Sequence, residues 1–192
     1  MREIILIGGG GHCKSVIDVI ECQGKFQIIG IVDKPEYLGE RVLNYPVIGN
    51  DSELPKLAKK YNHALITVGQ IHSSELRKYL FNQVVSCGFK LPAIISPRAY
   101  VSGYASIGSG VVVMHDAVVN ANTSIADNCI INSKVLIEHD CKISEHCHIS
   151  TGAIINGGVE IGPECFIGSG SITKESIKID KKSFIKAGSL IT

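Results

Sequence analysis

From Ile95 to Ile191 every sixth residue is aliphatic. Sixteen of the seventeen positions are Ile or Val, Thr173 is the exception, and no insertion interrupts the count. A period of six matches neither the roughly 3.6 residues of an α-helical turn nor the roughly 2 of a lone strand. It is the period of a solenoid in which each repeat makes one short strand and one corner. The β-branched side chain suits the strand position and points into a narrow core. A second column runs two places ahead of the first, through Ala99, Ala105, Ala117, Cys129, Cys141, Cys147, Ala153, Cys165 and Ser171. Its residues are small, as a tight interior corner requires. Three sides make one coil, so His139, for example, stacks on Gly157, and the stretch holds a little over five coils.

Composition agrees with that reading. Hydrophobic residues make up 45% of the 192, aromatic residues 6%, and there is no Trp, which is the profile of a prism filled with Ile and Val. A net charge of +1 gives no footprint for nucleic acid or a membrane surface. The longest apolar run near the N-terminus, Ile4 to Ile7, is too short for a signal peptide or a membrane span, so a cytoplasmic protein without membrane insertion is expected. The seven cysteines show no CxxC spacing, and Cys129, Cys141, Cys147 and Cys165 fall in the small-residue column. They are expected to be buried and unpaired, with no metal site.

The chain ahead of the solenoid reads differently. An apolar strand from Arg2 to Ile7 runs straight into Gly8, Gly9, Gly10 and Gly11, and a helix from His12 to Cys22 follows with Val16, Val19 and Ile20 on one face. A strand, a glycine turn and a helix start make an anion site, because free backbone N–H groups and the helix dipole face the turn. A second strand, Gln27 to Val32, ends on Asp33. Its distance from the last glycine is the one, about 20 residues, at which such folds place a ribose-binding carboxylate. The dinucleotide fingerprint is incomplete, since its third glycine would fall on Cys13 or Lys14, and the region is too short for both halves of a dinucleotide fold. A single mononucleotide-type βαβ half fits, and nucleotide-sugar binding is expected over a purely structural turn. Pro46 to Lys60 reads as a loop into a helix capped by Asn50 or Asp51. Ala64 to Val68 reads as a third strand, Ser73 to Cys87 as a helix ending near Gly88, and Lys90 to Ile95 as a last strand entering the solenoid. The fold class is thus α/β plus all-β: a small Rossmann-like domain over 1–94 and a parallel β-helix over 95–192. No low-complexity linker separates them, so rigid packing is expected.

The segments IILIGGGGHCKSVIDVIE, YPVIGNDSEL, IISPRAYVS and INSKVLIEHDCKISEHCHISTGA together resemble one family. It is that of the NeuD- and PglD-type sugar acetyltransferases of bacterial sialic acid and modified amino-sugar pathways. The resemblance implies a left-handed β-helix, a homotrimer, acetyl-CoA bound in a groove between subunits, and an acceptor sugar, often nucleotide-linked, on the N-terminal domain. It puts the catalytic histidine on His139 and the acidic residue beside it on Asp140. Asn132 and His148 match the residues that contact the acetyl donor, and Gly157, one coil past His139, matches a backbone N–H that could meet the thioester oxygen. Where relatives often have Gly-Asn-Asn after the third strand, this chain has Gly69, Gln70 and Ile71, which bears on the identity of the acceptor.

By position alone His139 is not singled out, since His115 shares its phase; Glu138 and Asp140 on either side distinguish it, because carboxylates can orient the ring and stabilise its cation. His115, His146, His63 and His72 read as ordinary surface histidines. His12 joins the acceptor site, with Gly8 to Gly11 and Asp33, only through its place on the glycine turn. Charge changes sign along the solenoid: two lysines face seven carboxylates from Val101 to Thr173, and five lysines face two from Lys174 on. Lys181, Lys182 and Lys186 are therefore candidates for the CoA phosphates, or else a solvated end cap. The expected activity is acetyl transfer to an amino or hydroxyl group of a sugar. A γ-carbonic-anhydrase-like zinc lyase and a non-catalytic trimeric sugar-nucleotide scaffold are the alternatives.

Overall fold

The computed structural model describes all residues, 1–192, and the chain divides into two compact units. One comprises Met1–Gly69 and Glu75–Pro92; the other comprises Gln70–Ser74 and Ala93–Thr192. No helix is long and apolar enough to cross a membrane.

The first unit is a five-stranded sheet with helices. Strands β1 (Arg2–Ile7), β2 (Phe26–Val32), β3 (Arg41–Val42), β4 (Tyr45–Gly49) and β5 (Ala64–Ile66) lie in the order β3-β4-β2-β1-β5. The apolar run of β1 is parallel to β2 on one side and β5 on the other, with Ile4 to Leu6 fully buried. Helix α1 (Gly11–Gln23) starts on the glycine turn, buries Val16, Ile17, Val19 and Ile20, and ends at Gly24 in the left-handed conformation. Helices α2 (Leu54–Ala58) and α3 (Glu75–Ser86) complete the unit. Arg77 of α3 is buried and donates to the carbonyls of Ile66 and Val68, 2.8 Å each, closing the end of β5.

Two expectations need correction. Tyr45 to Gly49 is a strand, not a loop leading to a helix. Pro46 argues against a strand because it has no N–H to donate, yet the pairing needs none there: Val47 N–H donates to Glu40, and Asp33 N–H to Gly49. Asn50 is the cap, paired with Glu53 in a capping box. Of the segment 90–95, only Ile94–Ile95 forms a strand.

The second unit is a parallel β-helix of seventeen short strands, one at each sixth residue expected from the sequence. Partners lie one coil apart, as in Leu136 with Ile154 and Ile137 with Ile155. The three faces hold six, five and six strands. The aliphatic residue of each strand points inward and the residue before it outward. The outward residues differ by face. The Tyr100 face carries Tyr100, Val118, Leu136, Ile154, Ile172 and Leu190; the Ser106 face carries Ser106, Ser124, Lys142, Glu160 and Lys178; the Ile94 face ends in His148, Phe166 and Phe184.

Corners are built on one repeated backbone state. From Gly110 to Gly188 every sixth residue has φ between 57° and 70°, and nine of these fourteen are not glycine. From Asn128 on, the N–H of such a residue donates to a corner carbonyl of the coil before, as Asp140 does to Ala121. The small column works inside the corner. Cys129, Cys141, Cys147 and Cys165 are buried free thiols that donate to carbonyls further along the chain, at 3.0–3.2 Å, and Thr123 and Ser171 do the same with hydroxyls. Bonding to the neighbouring Cys129 thiol, then burial, raises the Cys147 thiol pKa, so this sulfur is an inert packing group.

The repeated left-handed state generates a stability test at exposed Lys134, φ 60°. Lys134→Gly is expected to be neutral within about 0.5 kcal/mol, while Lys134→Val costs about 1–2 kcal/mol, because a β-branched residue is strained at that φ. Chemical denaturation of the two variants checks this; equal losses would mean the corner does not impose its conformation.

Candidate active site

His139 projects from the edge between the Tyr100 and Ser106 faces. It precedes Asp140, whose φ of 62° turns the chain and leaves both side chains in solvent, 65% and 53% exposed. His139 Nδ1 lies 2.6 Å from Asp140 Oδ2. The other oxygen, Oδ1, accepts from Asn122 Nδ2 at 2.6 Å, one coil back. Those bonds, Asn122 first and His139 second, hold the Asp140 carboxyl below its ordinary pKa. A carboxylate there accepts the Nδ1 proton, which leaves the Nε2 lone pair facing outward. Glu138 takes no part in this: its carboxylate accepts from Asn120 Nδ2 at 2.9 Å. Asn120 and Asn122 were not anticipated from the sequence, although counting one coil back from Glu138 and Asp140 finds both.

Gly157 lies directly under the His139 ring. A Cβ at this position would come within 2.9 Å of Cε1 and Nε2. Glycine here lets the exposed His139 ring stand over this peptide, since a Cβ would push the ring aside.

Asn132 and His148 form a second group. His148 is 6% exposed, and its Nδ1 lies 2.5 Å from the Gln70 carbonyl, which can only accept. Its Nε2 therefore accepts from Asn132 Nδ2, 3.1 Å away, while Asn132 Oδ1 accepts from the Ser133 N–H at 2.8 Å. The Gln70 side chain latches the segment by donating to the His146 carbonyl at 2.9 Å. His146 itself, expected at the surface, is buried against the Asn128 amide. His72 stacks on Phe184, and Ser74 donates to Glu164. In one chain the Asn132–His148 group sits at the edge where the Ile94 and Tyr100 faces meet, so the whole Tyr100 face separates it from His139.

The lysines do not converge. Lys181 and Lys182 stand at the corner leading to the Ile94 face, and Lys186 at the next corner. Lys182 is 4.0 Å from Glu164, while Lys142 and Lys178 both pair with Glu160 at 3.0 and 2.9 Å. The cavity of about 620 Å³ on the Ser106 face is lined by these last three side chains, Lys181 and Asp180.

In the first unit, Asp33 Oδ2 accepts from the Gly9 N–H at 2.6 Å and Oδ1 from its neighbour Lys34 at 2.8 Å. A cavity of about 290 Å³ opens there, lined by Gly9, Gly10, Asp33 and, not anticipated from the sequence, Lys14, Tyr37 and Arg41. Arg41 arrives on the β3–β4 hairpin, which left no sequence signal. Gly8 and His12 lie apart from that lining: Gly8, φ 100°, packs on Val68, and His12 sits beside Gly69, while Gly11 opens α1. Cys13, at the third fingerprint position, is buried, and burial pushes its thiol up to about 11.

Residues 3–84 match the PglD N-terminal domain, and residues 140–175 match the bacterial transferase hexapeptide repeat. PerB from Caulobacter crescentus, solved with CoA and GDP-perosamine, superposes with a TM-score of 0.93 at 31% identity, over 100% of this chain and 89% of that one. Two histidine mutants of a perosamine N-acetyltransferase from Caulobacter crescentus, also with CoA and GDP-perosamine, match with a TM-score of 0.93 at 30% identity, over 100% of this chain and 89% of that one. The acetyltransferase domain of PglB from Neisseria gonorrhoeae, with acetyl coenzyme A, gives 0.90 at 32% identity over 99% and 92%. WeeI from Acinetobacter baumannii, at 20% identity, shares the fold. No curated protein sequence gives a significant match.

The Asn122 contact generates a titration test. Since the folded-state pKa of Asp140 is depressed, the ionised form favours folding at neutral pH, and that contribution is lost as the pH falls through the folded value. Asn122→Ala is expected to raise the Asp140 pKa towards the ordinary carboxylate range, read by carbon NMR of the carboxyl group. An unshifted pKa would mean that Asn122 does not hold the charge.

Proposed function

We propose that this chain, which belongs to the NeuD/PglD-type hexapeptide-repeat acetyltransferases with their left-handed β-helix, transfers an acetyl group from acetyl-CoA to the amine of a nucleotide-linked amino sugar, with His139 as general base. The observation that carries the reading is the His139–Asp140–Asn122 line: a solvent-facing imidazole whose Nδ1 is held at 2.6 Å by an ionised carboxylate, which is itself held at 2.6 Å. His139 Nε2 takes the proton as the amine attacks the thioester carbonyl. The C–N bond forms, the C–S bond breaks, and the proton passes to the leaving thiolate. Asp140 keeps the ring in the required tautomer and favours its cation. The Gly157 N–H, one coil away beneath the ring, meets the oxyanion.

The acceptor belongs to the Asp33 cavity. A glycine turn at the N-terminus of a 13-residue helix offers N–H groups to a diphosphate, and the carboxylate suits a ribose hydroxyl. Solved relatives bound to GDP-perosamine favour a nucleotide sugar over a free sialic-acid-like acid.

The working form is a homotrimer. The Tyr100 face is a continuous apolar stripe, with Tyr100, Ile172 and Leu190 well exposed. A second copy against that stripe brings its Asn132–His148 edge towards the first copy's His139 edge, and so unites residues that one chain holds apart. Asn132 and His148 then serve the acetyl group, and Lys181, Lys182 and Lys186, the last from another corner, serve the CoA phosphates.

Thiol release from acetyl-CoA, measured with GDP-perosamine and other nucleotide amino sugars, tests the activity. His139→Ala is expected to lower kcat roughly 10²- to 10⁴-fold with acetyl-CoA binding retained; near-normal turnover would remove His139 from the mechanism. In sedimentation, Ile154→Asp is expected to dissociate the assembly and abolish turnover, because a carboxylate buried in an apolar interface is strongly disfavoured. An active, intact assembly would place the contact on another face.

A further inference from the structure

The coil contains one irregular corner, and it adjoins Gly157. At thirteen of fourteen corners, from Ser96 to Lys174, the N–H after the strand donates to a backbone carbonyl in the strand of the next coil, as Glu138 does to Ile155. Asn156 alone does not. Its N–H goes to the Thr173 hydroxyl, Oγ1, at 2.9 Å, and its side-chain Nδ2 takes the Thr173 carbonyl at 2.6 Å. The strand pairing there is reduced to Ile154 with Ile172. Thr173 is fully buried and is the one member of the sixth-residue column that is not aliphatic. A hydroxyl in that core has a cost, and here it is spent on a single backbone N–H.

The next peptide keeps the direction of the regular corners: the Asn156 carbonyl accepts from the buried Cys141 thiol at 3.2 Å and points into the prism, as the Ser144 and Gly162 carbonyls do towards Cys129 and Cys147. In a trans peptide the N–H points the opposite way, which sends the Gly157 N–H outward on the side where His139 lies. Asn156 is thus gripped through its N–H, its side chain and its carbonyl. We propose that Thr173 and Asn156 are positioning residues for acetyl transfer: by replacing the regular ladder bond with a hydroxyl and a side-chain bond they hold this outward-facing Asn156–Gly157 peptide at the place where the Gly157 N–H meets the oxyanion. This rests on the reading of Gly157 given above.

The test is isosteric. Thr173→Val restores the aliphatic column and leaves only the ladder carbonyl for Asn156, whereas Thr173→Ser keeps the hydroxyl. Removal of an oxyanion donor costs about 10²- to 10³-fold in kcat. Misplacing it through Thr173→Val is expected to cost about 10- to 100-fold in kcat, with the acetyl-CoA KM within about twofold and the Tm not lowered. Thr173→Ser is expected to stay within about threefold of wild type. In parallel, glycine-selective ¹⁵N labelling follows the Gly157 amide when a ketone analogue of acetyl-CoA binds. A signal that shifts in wild type and in Thr173→Ser but not in Thr173→Val supports the proposal. Equal kcat and equal shift in Thr173→Val overturn the positioning role and leave Gly157 as the donor. Equal impairment of the Val and Ser variants overturns it also, since the hydroxyl would then not be the active feature. No shift in wild type overturns the Gly157 reading itself, and the proposal with it.

Discussion

Everything in the solenoid depends on the backbone ladder between coils. From Asn128 to Ser176 each corner donates forward, to the strand of the next coil (at Asn156 to the Thr173 hydroxyl there), and backward, to a corner carbonyl of the coil before, so one coil is defined only against its neighbours. That double bond pattern requires a left-handed backbone at every sixth residue, a state that costs an L-residue about 1 kcal/mol. The chain accepts that cost at nine non-glycine corners. The return is a buried core of Ile and Val, together with interior carbonyls satisfied by thiols and hydroxyls.

The same ladder supplies the chemistry with its geometry. Residues one coil apart stack, so a side chain on one coil is held by the next. Asn122 under Asp140, Asn120 under Glu138 and Gly157 beside His139 are three instances of one translation. Because the left-handed residue turns the corner sharply, the residue before it stands clear of the prism. His139 gains exposure in this way while Asp140, in the left-handed position itself, stays close enough to bond its ring.

The periodic part of the molecule was legible in the sequence because a period of six is imposed on every coil. Seventeen strands and the buried cysteines follow from counting. The aperiodic parts were not legible. Pro46 concealed β4, since its missing donor matters only where the ladder needs one, and with β4 went the hairpin that brings Arg41 to the Asp33 cavity. Lys181, Lys182 and Lys186 look like one cluster in sequence, but the strand Phe184–Ile185 lies between the second and the third and puts them at different corners. Gln70 had no periodic signal at all. Its role comes from a backbone carbonyl reaching His148, far along the chain. Thr173 was visible as the break in the column, yet only the hydrogen bonds give the break a meaning.

The two histidine groups differ in solvation, and that difference bears on how the site must close. His148 is nearly dry and has its polarity fixed at both ends by backbone groups, the Gln70 carbonyl and the Ser133 N–H. A second proton on its ring would face the Asn132 amide protons, so His148 is suited to a neutral, oriented contact and not to proton transfer. His139 is two-thirds exposed and bonded at one nitrogen only, which leaves the other for a proton. In the proposed role of His139 as base, water around the ring would screen the Asp140 charge and weaken any oxyanion contact. A wall is needed, and the apolar Tyr100 face borders the edge from which His139 projects. In the proposed trimer, a copy of the chain laid on that face would remove apolar surface from water and, by the same contact, water from one side of His139. In the proposed assembly, subunit contact and activation of the proposed base would draw on a single stripe of side chains, with Leu136 and Ile154 at its centre.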